Sequence, residues 1–508
     1  MYVSYYAKRL GPRVRQRVIA ALEDRFDADV ELRTLDLEVF PQPSATGKGL
    51  TIRHRGWADA KPLISINKFT AKTDYDTLVD RRNRITVLKL EGLQISLPPR
   101  GRSSEISGEE EQHPVESAQP GTDRTEFKFL IEEMIADRTT FEIQTKVPGK
   151  DPLEFELEKL TLHSVGSGRA MTFKARLTNP KPPGWIDTTG TFGPWQRDDP
   201  RATAVSGNYR FQKADLAVFK GISGILSSTG QYRGVLQHIV VDGSADVPKF
   251  ALKRGGMPVN LNTRFHSVVN GTDGDTILEP VDARFLHSEF ICSGSVANEP
   301  GRHGKTVSLD AHTVNARMED ILTLIVGDSR PFVKGHVTFQ SNIVIPSGHE
   351  DVINKLQLNG SFALNNAEFT SEKVVRRLQT LSQRARGIDE KEAENLPRQM
   401  VASDFKGRFR LAKGTVSFSS LSFSLPGAAI LLKGTYDLRN QRMDMNGKFR
   451  MQSTLSDTQA GIKHWILKPL DPIFEKDGAG FEVPLMVKGT KDHPEITADV
   501  FHHGFTIH

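Results

Sequence analysis

The sequence of 508 residues predicts a mostly β fold with a few short helices, in which an elongated, curved antiparallel β-sheet forms a groove. Three observations favour this fold class. Apolar and polar residues alternate with the period of two of a β-strand through most of the chain. Segments of the form Gly-x-Φ-x-Φ, in which Φ is apolar, recur from Gly207 to Gly447 at irregular intervals. Helical spacing is confined to short stretches, unlike the regular strand–helix alternation of a parallel α/β fold.

The chain begins with an amphipathic helix that leads into strands. Val14, Val18, Leu22 and Phe26 recur every four residues, which predicts a helix of about four turns. The period then changes to two in VELRTLDLEVF, LISINKFTAKT and ITVLKLEGLQISLPP. Residues 1–99 are therefore predicted to form an N-terminal helix plus β module.

Three further regions follow this module. Residues 100–124 are rich in Glu, Ser, Gly and Pro and predict a disordered loop, because they offer almost no large apolar side chains to bury. Residues 125–330 predict a middle β region with short helices, and residues 331–508 a C-terminal β region. Helical spacing within the last two regions predicts helices at 125–139, 214–226, 316–326, 371–386 and 456–475.

The strands between 405 and 451 show the clearest two-faced pattern. In GTVSFSSLSFSLPG (414–427), large apolar residues alternate with serine, and a slip of phase at Ser419-Ser420 predicts a β-bulge or a tight turn. Such a face must be covered, because each large apolar side chain left in water forfeits roughly 1.5–3 kcal/mol. The candidate groove-lining residues are Phe409, Leu411, Val416, Phe418, Leu421, Phe423, Leu425, Ile430, Leu432, Tyr436, Leu438, Met443, Met445, Phe449 and Met451.

Composition and charge argue against several classes of protein. The net charge of +5 is spread along the chain in short clusters, so no nucleic-acid partner is predicted. The single cysteine, Cys292, excludes an internal disulfide, and the fifteen histidines are scattered, so no metal site is predicted. No run of eighteen or more apolar residues occurs. The first 25 residues carry a basic surplus that would suit an anionic membrane surface.

No catalytic residue and no cofactor are predicted. Gly304-Lys305-Thr306 ends like a phosphate-binding loop, but Glu299 stands where that loop requires its first glycine. Glu154, Glu156 and Glu158 alternate with apolar residues and therefore predict the solvated face of a strand rather than an acid–base pair. A glycan-hydrolysing enzyme would need two close carboxylates, and no segment of the sequence contains a candidate pair.

Three segments resemble the C-terminal region of AsmA-like proteins. They are LQLNGSFALNNAEFTSEKVVRRLQTLSQRARGI (356–388), the run from GRFRLAKGTVSF to NGKFRM (407–451), and LKPLDPIFEKDGAGFEVPLMVKGTKDHPEI (467–496). The first 100 residues are similar to the N-terminal module of that family, including LKLEGLQISLPP. Family members usually carry a transmembrane helix immediately before this module, whereas no apolar span precedes Tyr2 here.

The resemblance implies an envelope protein of diderm bacteria, anchored in the inner membrane with its body in the periplasm. It implies a β-groove that carries or shields acyl chains of phospholipid or another envelope lipid, and a role in lipid transport and outer-membrane assembly. It offers no catalytic residues to transfer and names no protein partner. We expect the membrane anchor to lie outside this chain. The residues alone leave an alternative open: a closed β-sandwich acting as a structural or interaction module, with the same side chains as an ordinary core.

Overall fold

The structure of the protein is a computed structural model. It describes residues 2–26, 28–54, 61–76, 84–97, 130–143, 153–166, 169–194, 196, 199–253, 256–299, 304–326, 331, 333–370, 404–425, 428–451, 482–490, 494–500 and 503–507.

Strands dominate the described residues, and the helices are few. The helices are α1 (Tyr2–Phe26), α2 (Met318–Val326) and α3 (Val352–Lys355). The strands are β1 (Ala28–Glu38), β2 (Ser44–His54), β3 (Ile64–Lys72), β4 (Arg84–Leu97), β5 (Leu130–Ile143), β6 (Leu153–Gly166), β7 (Met171–Pro180), β8 (Pro183–Phe192), β9 (Ala204–Asp215), β10 (Ile222–Ser223), β11 (Ile225–Val235), β12 (His238–Leu252), β13 (Val259–Val269), β14 (Thr276–Phe285), β15 (Ser288–Asn298), β16 (Lys305–Asn315), β17 (Val333–Ile345), β18 (Gln357–Phe369), β19 (Phe405–Ala412), β20 (Thr415–Leu425), β21 (Ala428–Asp437), β22 (Arg442–Met451), β23 (Glu482–Thr490), β24 (Pro494–Val500) and β25 (His503–Ile507). The predicted mostly β fold with a few short helices is confirmed.

The chain divides into two compact units, which are described separately. Unit 1 comprises Met1–Val218, Leu226–Gly243 and Val269–Asp273, and unit 2 comprises Phe219–Ile225, Ser244–Val268 and Gly274–His508. The predicted regions 1–99, 100–124, 125–330 and 331–508 remain predictions, and residues 100–124 lie outside the described part of the chain.

In unit 1, successive strands from β1 to β4 pair antiparallel, β5 joins β4 in parallel, and β5 to β9 again pair antiparallel. Helix α1 covers the first strands: Val18, Ile19 and Leu22 pack against a cluster that includes Leu32 and Ile52. These two residues are almost fully buried. The predicted N-terminal helix is therefore confirmed, and its apolar stripe serves to cover one part of the sheet.

In unit 2, the strands from β14 to β25 pair antiparallel in chain order. Among the residues that the structure describes, no pairing closes this series on itself. The sheet of unit 2 is thus open, and each of its strands presents alternate side chains to two opposite faces.

Helix α2 confirms the prediction at 316–326 and packs on one part of the unit 2 sheet. Its residues Met318, Ile321 and Leu322 contact a cluster of Ala316, Val333, Val337, Leu364 and Ala367. Hydrogen bonds accepted by acidic side chains in its first turn also hold the helix against the sheet. Asp320 Oδ2 accepts hydrogen bonds from the His287 backbone N–H at 2.9 Å and from Ser288 Oγ at 2.8 Å, and Glu319 Oε2 accepts one from the Gly335 N–H at 3.1 Å.

The predicted helix at 125–139 is wrong, because residues 130–143 form β5. Leu130, Ile131, Met134 and Ile135 have helical spacing, but this segment is hydrogen-bonded along both edges, to β4 and to β6. Pairing on two sides satisfies the backbone and overrides a local preference that is worth only tenths of a kcal/mol per residue.

The predicted helix at 214–226 is also wrong. Only one 3-10 turn forms there, at Leu216–Val218, followed by the short strand β10 and the first residues of β11. Gly221 and Gly224 adopt φ angles of 102° and 140°, which no right-handed helix contains. The predicted helices at 371–386 and 456–475 lie outside the described residues.

We expect Asp320→Ala to loosen α2. The substitution leaves the Ser288 hydroxyl, which is 2% exposed, and the His287 N–H without their acceptor, a loss of about 1–3 kcal/mol. Hydrogen exchange of the α2 amides should accelerate, whereas Glu279→Ala, at an exposed carboxylate on β14, should leave it unchanged. Asp320→Asn keeps one acceptor oxygen, so its rate of α2 amide exchange should lie between those of the other two variants. Unchanged exchange of the α2 amides in Asp320→Ala would show that the hydrogen bonds of Asp320 do not hold α2 in place.

Candidate functional site

The strands of unit 2 bring the predicted apolar residues together on one face of the sheet. The registers of β19 to β22 align them in rows that cross the strands. One row contains Leu411, Val416, Tyr436 and Met443, the next Phe409, Phe418, Gly434 and Met445, the third Gly407, Leu421, Leu432 and Gly447, and the fourth Phe405, Phe423, Ile430 and Phe449. We name this surface the apolar face.

The slip of phase in GTVSFSSLSFSLPG is a β-bulge within one strand. Phe418 pairs with Gly434 and Leu421 pairs with Leu432, so that Ser419 and Ser420 both lie opposite the single residue Lys433. The extra residue returns Leu421 to the face that Phe418 occupies. The bulge therefore keeps the apolar face continuous where a strictly alternating strand would have turned Leu421 towards the opposite face.

The predicted residues differ in how far water reaches them. Leu411, Phe423, Met445 and Phe449 are buried. Those that remain partly exposed are Phe409, Val416, Phe418, Leu421, Ile430, Leu432, Tyr436, Leu438 and Met443. The strands include Leu425 and Met451, whose side chains lie outside what the structure describes. The role of these fifteen residues as the lining of a binding surface remains a prediction.

The apolar face extends beyond the predicted residues to β14. The registers place Leu278, Gly294, Leu309, Ile343 and Leu358 in one row that ends beside Leu411. A series of aromatic contacts crosses the same strands, with ring centroids 5.2–6.4 Å apart: Phe285–Phe290, Phe290–Phe339, Phe339–Phe409, Phe362–Phe409, Phe362–Phe405 and Phe405–Phe423. Apolar contact thus continues from β14 to β20.

Five of these phenylalanines were not among the predicted residues, namely Phe285, Phe290, Phe339, Phe362 and Phe405. A signal for two of them was present in the sequence, because the repeats Gly335-HVTF and Gly360-SFAL contain Phe339 and Phe362. No sequence pattern indicated that β18 pairs with β19, since 35 residues separate Phe369 from Phe405.

Gly407 shows how closely side chains meet on this face. A Cβ atom added to Gly407 would lie 2.9 Å from Leu421 Cδ1 and 2.9 Å from Phe362 Cε1. The side chains of both neighbouring strands therefore lean over this glycine. The glycines of the repeat leave room for large neighbours, which lets Phe and Leu side chains lie along the sheet.

Helix α2 gives an internal comparison for the exposure of the apolar face. Beneath the helix, Val333, Val337 and Leu364 are 1%, 4% and 0% exposed. Phe409 and Phe418, which α2 does not cover, remain partly exposed. Among the described residues, protein therefore covers one part of the apolar face and leaves another part accessible.

In unit 1, two pairs of hydroxyl groups lie close together on β8, β9 and β11. Tyr209 OH lies 3.0 Å from Ser228 Oγ, and Tyr232 OH lies 2.6 Å from Thr188 Oγ1. Burial raises the pKa of both tyrosines, so both stay neutral well above physiological pH. Sequence analysis did not single out these four residues, whose hydroxyl groups satisfy one another across β8, β9 and β11.

Two nucleophilic side chains among the described residues, Ser288 and Cys292, have structural surroundings. Ser288 Oγ donates to Asp320 and accepts from the Arg317 N–H at 3.0 Å, so this serine stabilises the α2 junction. Cys292 lies on the apolar face opposite Val281 and Ala311, and burial raises the pKa of its thiol, which disfavours the thiolate.

Potential metal ligands and membrane spans give no further site. The described residues contain no group of three or more His, Cys, Asp or Glu side chains placed to hold a metal ion. Their helices include none that is both long and apolar enough to cross a membrane. Glu154, Glu156 and Glu158 are exposed, as predicted for the solvated face of a strand.

Comparisons with protein-family models, with curated proteins and with solved structures find nothing that matches this chain.

The turn between β21 and β22 gives a prediction about pH. Asp437 accepts hydrogen bonds from the Arg439 side chain, at 2.7 Å to Nη2, and from the Arg439 N–H at 2.8 Å, which hold the pKa of Asp437 at about 2. Because this pKa lies below the ordinary value of 3.8, the stabilisation of the turn is present above pH 4 and is lost as the pH falls towards 2. Carboxyl NMR shifts should report this midpoint.

Arg439→Ala should raise the pKa of Asp437 towards its ordinary value. Arg410→Ala removes an exposed arginine of β19, on the side of the sheet that also carries Asp437, and should leave the Asp437 midpoint unchanged. Asp437→Asn identifies the carboxyl resonance of Asp437. An Asp437 midpoint near 3.8 in the unmodified protein would refute the proposed role of these hydrogen bonds.

Proposed function

We propose that this chain is a non-enzymatic protein of the bacterial envelope that binds or shields lipid acyl chains on the apolar face of unit 2. The chemical part of the proposal is supported by that face. The cellular part is supported by the resemblance to AsmA-like proteins, and comprises a periplasmic body, an inner-membrane anchor outside this chain, and a contribution to lipid transport or outer-membrane assembly. The ligand is phospholipid or another envelope lipid.

One observation carries the proposal: the contrast between Val337 and Leu364 beneath α2 and the partly exposed Phe409 and Phe418 outside it. Both sets of side chains belong to the same apolar face, and only the first is covered by a helix in the described residues. A ligand for the second must be apolar and must need no hydrogen bonds. Acyl chains meet both conditions, and each methylene group that leaves water gains about 0.8 kcal/mol.

A structural or interaction module without lipid cargo is the second candidate. It is favoured by Leu411, Phe423, Met445 and Phe449, which lie in the same rows and are as buried as residues of a protein core. In that case the apolar face would be completed by protein alone.

Lipid analysis after purification without detergent tests the proposal. We expect phospholipid to co-purify with the protein and Phe418→Glu to reduce it several-fold, because a carboxylate on the apolar face would have to be desolvated beside an acyl chain. Ser417→Glu is the matched control, since Ser417 is exposed, neighbours Phe418 in β20 and points to the opposite face. Circular dichroism should show whether both variants keep their strands.

A photoactivatable fatty acid gives a second measurement that does not depend on a variant. Its label should be concentrated in the peptides of β19 to β22. Repeatedly lipid-free protein that also takes up no added fatty acid would favour the structural module. Equal lipid content in folded Phe418→Glu and Ser417→Glu would exclude this part of the apolar face as the binding surface.

A further inference from the structure

The opposite face of the same unit 2 strands is strongly basic. From β19 to β23 its side chains alternate with those of the apolar face, and we name it the basic face. Its cations are Lys406, Arg408, Arg410, Lys433, Arg442, Lys448, Arg450 and Lys488, and its carboxylates within these strands are Asp437, Asp444 and Glu482. Eight cations therefore share this face with three carboxylates, which leaves an excess of five positive charges on one side of five adjacent strands.

The excess is concentrated on β19. Lys406, Arg408 and Arg410 occupy alternate positions of this strand and are all exposed. Their partners on the flanking strands are Ala363, Ser361 and Asn359 on β18 and Ser422, Ser420 and Ser417 on β20. No flanking partner on β18 or β20 carries a charge, so no carboxylate lies directly opposite any of the three cations. They form no ion pair with any other described residue.

The carboxylates elsewhere on the basic face are largely engaged. Glu482 lies 2.9 Å from Lys448 Nζ and 3.5 Å from Arg450 Nε, and Lys448 lowers the pKa of Glu482. Asp437 binds Arg439 in the turn after β21. The neighbouring strands therefore do not compensate the positive charge on β19. An anionic partner would supply the missing negative charge.

Two exposed apolar side chains lie among these cations. Leu431 is 48% exposed, pairs with Lys448 and stands two residues from Lys433. Met486 is 37% exposed and stands two residues from Lys488. A face that combines lysine and arginine with isolated apolar side chains matches the boundary of an anionic bilayer, where cations meet headgroups and apolar groups enter the acyl region.

We propose that the basic face of unit 2 docks on the surface of an anionic lipid bilayer. The described part of this face carries no aromatic side chain on which nucleic-acid bases could stack. Leu431 and Met486 gain from a bilayer, whereas a highly charged acidic protein would leave them against polar groups. This interaction uses the side of the sheet opposite to the proposed acyl-chain surface, so it does not depend on that function.

Sedimentation with lipid vesicles tests the proposal on the full chain. We expect binding to vesicles of phosphatidylcholine mixed with phosphatidylglycerol, little binding to phosphatidylcholine alone, and release at high salt. The combined substitutions Lys406→Gln, Arg408→Gln and Arg410→Gln should weaken binding about 100-fold, because each cation near an anionic surface contributes about fivefold. Leu431→Ser should weaken it less.

A matched variant carries Lys174→Gln, Lys220→Gln and Arg264→Gln, which removes the same charge from three exposed positions on other elements. Its vesicle binding should stay close to that of the unmodified protein. Equal loss in both triple variants would overturn the proposal, because net charge would then explain the binding. Equal binding to both kinds of vesicle would overturn it as well. So would binding to a soluble acidic protein without binding to the vesicles.

Acyl-chain uptake measured on the same variants separates the two proposals. The β19 triple variant should keep the fatty-acid labelling of the apolar face while losing vesicle binding. Phe418→Glu should lose labelling while keeping vesicle binding. Loss of both properties in the β19 variant, with its strands intact by circular dichroism, would count against an independent basic face.

Discussion

The alternation of side chains along a strand is the constraint on which the rest of the structure depends. Because successive residues point to opposite faces, one sequence of period two gives each sheet an apolar side and a polar side. The polar side can meet water, but the apolar side cannot remain exposed without a large loss of free energy. Helices α1 and α2, the bulge at Ser419-Ser420 and the repeated glycines all serve to build or to cover that apolar side.

The two helices show how the chain covers a sheet locally. Helix α1 rests on unit 1 through Val18, Ile19 and Leu22, and α2 rests on unit 2 through Met318 and Ile321. Each covers only the strands next to it, because a helix is about 10 Å wide and neighbouring strands lie about 4.8 Å apart. The apolar face is much broader than one helix. A wide apolar sheet therefore needs either a second layer of protein or a ligand to cover it. In unit 2, the partly exposed rows are the part that needs this cover.

Sequence pattern predicted the features whose cause is local. The bulge followed from two adjacent serines, and α2 from the helical spacing of apolar residues in 316–326. It failed for β5 and for 214–226, where pairing along both edges and the φ angles of Gly221 and Gly224 decided the outcome. The aromatic series was predictable only in part: Phe339 and Phe362 lie in the glycine repeats, but no pattern indicated the pairing of β18 with β19 across 35 residues.

The two faces of the unit 2 sheet impose separate chemistry on any lipid. A phosphate at Arg408 and an acyl chain at Phe409 would lie on opposite sides of one backbone, since adjacent residues of a strand point in opposite directions. One lipid molecule could reach both only by passing around an edge of the sheet. The basic face therefore cannot serve as the headgroup site for an acyl chain held in the middle of the apolar face. Membrane docking and acyl-chain binding are thus two proposals about one sheet, and evidence for either leaves the other to be established.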